Sequence, residues 1–190
     1  MKQSLLTEGR HFETAVSLLR NNQIVALPSE SVYGLSARVC RETTDQLIQL
    51  KKRPLEKGFI IVSGVPEQLL RYIDTSRLNA QQVRQIQTPS ERATSWVVPV
   101  KKDFIWLTGK YHSIAVRLTT HPLLRAITER LGEAIISTSA NLSGEKPLRS
   151  KTEIEGLFGQ ALPFVYPSLP PLSSKPSRII NVMTGKILRA

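Results

Sequence analysis

Residues 133–147 read EAIISTSANLSGEKP, an apolar run followed at once by a cluster of hydroxyl and amide side chains. Residues 134–137 are typical of a buried strand, and small polar residues after such a run commonly mark a loop. The same residue types can also hold phosphate oxygens or a hydrated cation, because ligands of open α/β sheets bind beyond the carboxyl ends of the strands. Both interpretations stay open on this stretch alone.

The rest of the chain predicts an α/β fold. Helical and strand periodicities are mixed along the sequence, with strands spaced both as hairpins and as βα units, which favours an open, twisted, mixed sheet with helices. The length of 190 residues fits a single domain over 1–190. We predict helices over 11–21, 43–52, 66–73, 78–86, 121–131 and 151–158, strands over 24–27, 58–62, 96–100, 114–118, 134–137, 163–166, 177–182 and 186–189, a loop over 28–36, and an exposed proline-rich connection over 167–176.

The charge of the chain points to a phosphate-bearing partner. There are 26 Lys and Arg against 15 Asp and Glu, a formal net charge of +11, and such an excess attracts nucleotides, RNA or anionic membranes. The bases are dispersed along the chain, which favours a folded basic face over a basic tail. A solvated surface that only maintains solubility is the alternative explanation.

Several classes of site are excluded or disfavoured by the sequence. The single cysteine, Cys40, rules out an intrachain disulfide and a cysteine-based metal cage and fits a reducing, cytoplasmic setting. The three histidines are scattered, so we expect no metal site formed by a cluster of protein ligands. No apolar run is long enough for a signal peptide or a membrane span. The P-loop, GxGxxG, GxSxG and HExxH patterns are absent.

Four polar clusters, over 28–36, 51–57, 113–117 and 137–144, fall at inferred ends of strands or helices and could surround one crevice. Each also has a simpler explanation. Lys51 and Arg53 suit the C-terminus of a helix, Arg117 could be a surface base on an edge strand, and Tyr33 could be a core residue with its hydroxyl at the rim. Their combination with the basic charge predicts a site for an anionic ligand, in which arginine grips phosphate or carboxylate with two donors and lysine supplies a point charge.

The stretches PSESVYGLS, LKKRPLEKGFIIV, SIAVRLTTHP, STSANLSG and PSRIINVMTGKILR, in this order, closely resemble the YrdC-like family of threonylcarbamoyl-AMP synthases, and the length resembles its short bacterial form. The resemblance covers residues from about 10 to 190. It implies an open α/β domain with a basic concave face. It also implies an enzyme, a nucleotidyltransferase that makes threonylcarbamoyl-adenylate and pyrophosphate from L-threonine, bicarbonate and ATP with Mg²⁺. Other tRNA-modification proteins would then complete the modification of tRNA, to which this chain could itself bind.

The resemblance also implies roles for individual residues. The paired signature Lys-x-Arg and Ser-x-Asn, here Lys51, Arg53, Ser139 and Asn141, would be catalytic. The ATP site would comprise Lys51, Arg53, Lys57, Ser113, Asn141, Arg149 and Ser177. The threonine pocket would comprise Ser31, Arg117 and Ser139, with Arg117 suited to the substrate carboxylate. Catalysis would then rest mainly on positioning and electrostatics.

Three departures from the family pattern affect these expectations. Residues 28–31 read PSES where the family commonly has PTET, and Ser36 replaces a glycine. Residues 91–95, ERATS, replace a Pro-Gly-Pro-x-Thr loop, so we expect another shape there. Two alternatives to the synthase therefore stay open: a non-catalytic module that binds tRNA or rRNA through the same basic concavity, and a family member that binds nucleotide without turnover.

Overall fold

The computed structural model describes residues 9–30, 32–54, 56–167 and 177–190. Every α-helix in these ranges overlaps one that the sequence predicts. The helices are α1 (Arg10–Arg20), α2 (Arg41–Leu50), α3 (Pro66–Leu70), α4 (Ala80–Gln87), α5 (Pro122–Leu131) and α6 (Lys151–Phe158). Short 3₁₀ turns, which we did not predict, cover Thr75–Arg77, Lys102–Leu107 and Gly159–Ala161.

Local sequence fixes several helix ends. Helix α6 begins at a capping box, in which Ser150 Oγ accepts from the Glu153 amide at 3.2 Å and the Glu153 carboxylate accepts from the Ser150 amide at 2.9 Å. Helix α5 has Pro122 in its first turn and ends at Gly132, whose φ of 76° is in the left-handed region that favours glycine. These signals explain why both helices were predictable.

The described strands form one sheet with the order β7-β1-β2-β6-β3-β5-β4-β8-β9. The strands are β1 (Val25–Pro28), β2 (Tyr33–Arg38), β3 (Ile60–Ser63), β4 (Thr94–Pro99), β5 (Ser113–Leu118), β6 (Ile135–Ser139), β7 (Phe164–Val165), β8 (Arg178–Asn181) and β9 (Ile187–Arg189). The pairs β1/β7, β3/β5 and β4/β8 are parallel, and the other pairs are antiparallel. The predicted mixed, open α/β sheet is therefore confirmed.

Two apolar clusters divide the core. Helices α1 and α5 pack on one side of the sheet, where Leu19 and Ile127 meet Val62 of β3 and Ile135 of β6. The second cluster contains Ile61 of β3, Ile136 of β6, and Ile114 and Val116 of the neighbouring strand β5. Since successive residues of a strand point to opposite faces, the two clusters cover opposite faces of the sheet.

The predicted loop over 28–36 is too long, because β1 ends at Pro28 and β2 begins at Tyr33. Tyr33 and Leu35 belong to the core, but they alternate along the strand with Gly34 and Ser36. The strand therefore lacks the bulky, β-branched side chains on which the prediction relied. Gly34 allows a close approach of β6: a Cβ at this position would lie 2.6 Å from Ser137 Oγ, so any side chain there would force Ser137 to shift.

The unpredicted strand β2 also explains why the end of β6 was predicted too early. Strand β6 continues to Ser139, two residues beyond the prediction, because Thr138 and Ser139 pair with Leu35 and Gly34. Likewise Thr94 and Ser95, expected in an altered loop, are the first residues of β4. The predicted connection over 167–176 lies, from residue 168 onward, outside the described residues.

Candidate functional site

A cavity of about 740 Å³ opens on the sheet face opposite Ile114 and Val116. On β5, Ser113, Ala115 and Arg117 line the cavity, as the two-residue period of a strand requires. The other lining residues come from the β1–β2 turn, the segment after α2, strands β2, β3, β4 and β6, the loop after β6, the segment that precedes β5, and the C-terminal strands with the residue before β8. They include Ser29, Gly34, Arg53, Phe59, Thr108, Tyr111, Ser137, Ser139, Asn141, Glu145, Ser177, Leu188 and Arg189.

Arg117 is the most buried cation of the cavity wall. It is 6% exposed and lies on an interior strand, between β3 and β4, which excludes the edge-strand explanation. Its Nη2 lies 3.5 Å from a carboxylate oxygen of Glu30. Burial alone would raise the pKa of Glu30, but the charge of Arg117 and a hydrogen bond from Thr119 outweigh it and leave that pKa lowered. The carboxylate is therefore ionised at neutral pH.

Arg53 lies in the segment after α2 and also lines the cavity. Its Nη2 donates to the Gly58 carbonyl at 2.6 Å, its Nε donates to the Lys57 carbonyl at 3.3 Å, and its guanidinium carbon is 4.9 Å from the centre of the Phe59 ring. Burial lowers the pKa of Arg53. None of the ion pairs formed among the described residues involves Arg53, so its charge is available to an anionic ligand.

Lys51 lies beneath the Ser-x-Asn segment instead of in the cavity wall. It is 1% exposed, and its Nζ donates to the Ser139 carbonyl, to the Asn141 carbonyl at 2.6 Å and to Asn141 Oδ1 at 3.3 Å. Burial, with a smaller contribution from the charge of Arg53, lowers the pKa of Lys51 to about 7. In this arrangement Lys51 holds the loop after β6 in place.

Ser139 and Asn141 complete that loop on its cavity side. Ser139 Oγ donates to Asn141 Oδ1, while Asn141 Nδ2 donates to the carbonyls of Leu142 and Glu145, both at 2.7 Å. The Asn141 side chain is thus fixed by its own loop and by Lys51. The polar stretch that follows the strand is both a strand-to-loop transition and part of a cavity wall.

The C-terminal strands contribute one residue that the sequence analysis missed. Arg189 lines the cavity and donates through Nε and Nη2 to the Ser177 carbonyl at 2.9 and 2.7 Å, and through Nη2 to Ser177 Oγ at 3.0 Å. Ser177 Oγ lies 3.2 Å from Ser95 Oγ, so the altered 91–95 segment touches the site through Ser95. An arginine within the resembling stretch PSRIINVMTGKILR was the available signal for Arg189.

The predicted site residues fall into three groups. Arg53, Ser113, Arg117, Ser139, Asn141 and Ser177 line the one cavity. Lys51 supports it from below, whereas Lys57 and Arg149 are exposed and absent from its lining; Arg149 makes a backbone hydrogen bond to Glu153 at 2.9 Å. Ser31 lies outside the described residues.

The described residues carry no ready metal cage. Across 9–30, 32–54, 56–167 and 177–190, no three His, Cys, Asp or Glu side chains come together as metal ligands. Glu145 is the single carboxylate among the described residues that line the cavity. No helix in the same ranges has the length and hydropathy that crossing a bilayer requires.

Comparison with known proteins gives consistent matches along the chain. The Sua5/YciO/YrdC family model, described as telomere recombination, matches residues 17–190. A threonylcarbamoyl-AMP synthase from Actinobacillus succinogenes is 38% identical over 182 residues, covering 94% of this chain and 98% of that protein. A protein of the same name from Haemophilus ducreyi is 42% identical over 176 residues, covering 92% and 95%.

Solved structures share the fold. The crystal structure of P. abyssi Sua5 complexed with L-threonine superimposes with a TM-score of 0.82 at 20% identity, covering 95% of this chain and 54% of that chain. The crystal structure of E. coli YciO gives a TM-score of 0.73 at 18% identity, covering 98% and 89%. At these sequence identities, the structural similarity supports a shared fold and nothing further.

Proposed function

The chain belongs to the Sua5/YciO/YrdC family, and from this premise we propose that it is a threonylcarbamoyl-AMP synthase. The reaction joins L-threonine, bicarbonate and ATP into threonylcarbamoyl-adenylate, with release of pyrophosphate and water. Relatives of that name match 92–94% of this chain and 95–98% of their own length. The observation that carries the proposal is the convergence of Arg53, Arg117 and Arg189 on one cavity.

The chemistry requires two kinds of anion recognition. The threonine amine, after losing a proton to solvent, forms a bond to the bicarbonate carbon while a C–OH bond breaks and water leaves, which gives a carbamate. A carbamate oxygen then attacks the α-phosphorus while pyrophosphate leaves. Arg117 is suited to the carboxylate of threonine, since a guanidinium offers two parallel donors to a planar anion. Arg53 and Arg189 are suited to the phosphates, where they would offset charge that grows on the leaving pyrophosphate.

Hydroxyl and amide groups would fix the position of the substrates. Ser113, Ser139, Asn141 and Ser177 lie around the cavity on three separate segments. Holding the carbamate and the α-phosphorus in line converts an encounter of separate molecules into a reaction within one complex, which accounts for much of the rate enhancement in such sites. No dedicated general base is required by this scheme.

Mg²⁺ would enter with the phosphates of ATP. In proteins it commonly binds through one or two carboxylates plus substrate phosphates and keeps several waters. The single carboxylate of Glu145 fits that pattern, and the bound ion would offset the negative charge of the triphosphate.

The product is an activated threonylcarbamoyl group, so we propose that further tRNA-modification proteins transfer it to an adenosine of tRNA. The net charge of +11 is compatible with direct contact to tRNA. No feature of the cavity specifically supports a purely RNA-binding role. The cavity combines separate arginines with hydroxyl groups, and its volume of about 740 Å³ is within the range of small-molecule sites.

Pyrophosphate release tests the proposal. Purified protein with ATP, Mg²⁺ and bicarbonate should release pyrophosphate only when L-threonine is added, and omission of bicarbonate should abolish the release. ATP binding without any release would identify a nucleotide-binding family member without turnover. Threonine-independent release would contradict the synthase assignment.

A further inference from the structure

A carboxylate lies next to Arg117 but does not belong to the cavity wall. Glu30 sits in the turn between β1 and β2, which is closed by Ser29: its amide and its Oγ both donate to the Val32 carbonyl, at 3.2 and 2.7 Å. The turn therefore fixes the backbone from which the Glu30 side chain extends. Arg117 lines the cavity, whereas Glu30 does not.

The two carboxylate oxygens of Glu30 have different neighbours. One accepts a hydrogen bond from Thr119 Oγ1, and the other lies 3.5 Å from Arg117 Nη2. Thr119 Oγ1 also accepts from the His121 amide at 3.1 Å, so the end of β5 and the following turn hold the carboxylate in place. The side chains of Arg117 and Glu30 are only 7% and 20% exposed.

Part of the hydrogen-bonding capacity of this pair is unused. Among the described residues, Arg117 Nε and the second Glu30 oxygen have no hydrogen-bond partner. A buried polar atom without a partner costs free energy, so such atoms are uncommon unless a ligand completes them. Although these two atoms are buried, Arg117 lines the cavity, so part of its guanidinium lies within reach of an incoming carboxylate.

The charge around Arg117 is nearly balanced before any ligand arrives. Glu30 is ionised, and burial lowers the pKa of the neighbouring His121, so that imidazole is neutral at pH 7. Removing one member of a buried ion pair leaves the other uncompensated. Glu30 can therefore matter in two ways: by fixing the guanidinium in one orientation, or only by offsetting its charge.

We propose that Glu30 is a positioning residue, which holds the Arg117 guanidinium in the orientation that receives the carboxylate of threonine. This inference rests on the proposed function. Glu30 itself does not touch the substrate, and its effect is transmitted through Arg117.

The two roles predict opposite changes. If Glu30 fixes orientation, its loss lets the guanidinium turn and weakens threonine binding. If Glu30 only offsets charge, its loss leaves Arg117 more attractive to an anion and strengthens threonine binding. The direction of the change in KM thus separates them.

The test is Glu30→Gln, which keeps the shape and removes the charge. We expect the KM for L-threonine to rise about tenfold, since small displacements of a binding group have effects of this size or larger, while the KM for ATP stays within a factor of two. Glu30→Asp should recover part of the loss, because it restores an ionised acceptor that can hold the guanidinium, although on a shorter side chain. Glu133→Gln is the matched control: it breaks the part-buried pair between Glu133 and Arg38, away from the cavity, and should leave both KM values unchanged.

A KM for threonine that is unchanged or lower in Glu30→Gln, in an otherwise active protein, overturns the inference. If Glu30→Gln does not fold, Thr119→Val keeps the carboxylate but removes its hydrogen bond from Thr119, together with the bond that Thr119 Oγ1 accepts from the His121 amide. It should still raise that KM, by about threefold; no rise again overturns the inference. Wild-type protein without threonine-dependent turnover refutes the proposed function instead, and the two failures are thereby distinguished.

Discussion

The basic residues in two parts of the cavity have different kinds of partner. Beside the β1–β2 turn, Arg117 faces the carboxylate of Glu30 at 3.5 Å. In the segment after α2, Arg53 lines the cavity and Lys51 lies beneath it. Both contact backbone carbonyls, and neither forms an ion pair within the described chain. The first part, in which Glu30 already offsets the charge of Arg117, suits a single carboxylate. The second part retains the positive charge of Arg53 that a triphosphate needs.

The contrast continues within the Lys-x-Arg signature itself. Lys51 directs its ammonium into the protein, where the three acceptors of the Ser139–Asn141 segment surround it. Arg53, two residues later, lines the cavity. We therefore expect replacement of Arg53 to lower activity and replacement of Lys51 to lower stability.

The largest effect should come from Arg53→Ala. Loss of one preorganised donor at the reacting phosphates should lower kcat/KM about 10²- to 10³-fold, with little change in the melting temperature. Arg53→Lys should be intermediate, because lysine keeps the charge but not the fork. Steady-state pyrophosphate release measures both variants.

Arg130→Ala is the control for that experiment, since Arg130 is an exposed arginine that pairs with Glu13 at 3.7 Å and does not line the cavity. It removes the same charge and should retain full activity. Equal loss in Arg53→Ala and Arg130→Ala would mean that only the net charge matters.

Lys51→Met should act mainly on stability. It leaves the Asn141 carbonyl without its donor, while the Ser139 carbonyl and Asn141 Oδ1 each keep one other donor. We expect the free energy of unfolding to fall by about 2 kcal/mol. Chemical denaturation measures the loss. A variant of unchanged stability that lost only ATP affinity would instead assign Lys51 to the phosphates.

The pH dependence of the Lys51→Met effect sharpens the same test. The pKa of Lys51 is about 7 in the folded protein against 10.5 for an unperturbed lysine, so between these values the unfolded state binds more protons than the folded state. Stability contributed by this group must then rise with pH, by up to about 1.4 kcal/mol per pH unit, and stay flat below pH 7. The stability difference between wild type and Lys51→Met should follow that curve, and a flat difference from pH 7 to 10 would contradict the pKa.

Sequence reasoning anticipated the fold better than the roles inside the site. Helix α6 was predicted at its observed bounds because Ser150 and Glu153 form a local capping box. Strand β2 was missed because Gly34 is explained only by the approach of Ser137 from another strand. Whether a cation such as Lys51 points at a ligand or at backbone carbonyls likewise depends on a contact with residues about 90 positions away, which no local pattern encodes.

Replacement of Arg189 should have the smallest effect, and it tests most directly whether the two parts of the cavity differ. It lies near enough to Arg117 for the two charges to interact, and burial followed by that repulsion lowers the pKa of Arg189. Its hydrogen bonds, however, go to Ser177, and no carboxylate among the described residues pairs with it. Because no carboxylate offsets its charge, we assign Arg189 to the phosphate-binding part of the cavity.

Arg189→Ala should therefore raise the KM for ATP about tenfold, the effect of losing roughly 1.4 kcal/mol of binding, and leave the KM for threonine within a factor of two. Lys186→Ala removes an exposed charge from the same hairpin and is the matched control. If Arg189→Ala raised the KM for threonine instead, an arginine without an acidic partner would be serving the carboxylate. The presence or absence of an acidic partner would then not distinguish the two parts of the cavity. The threonine-binding part would contain one arginine that is paired with a carboxylate and one that is not.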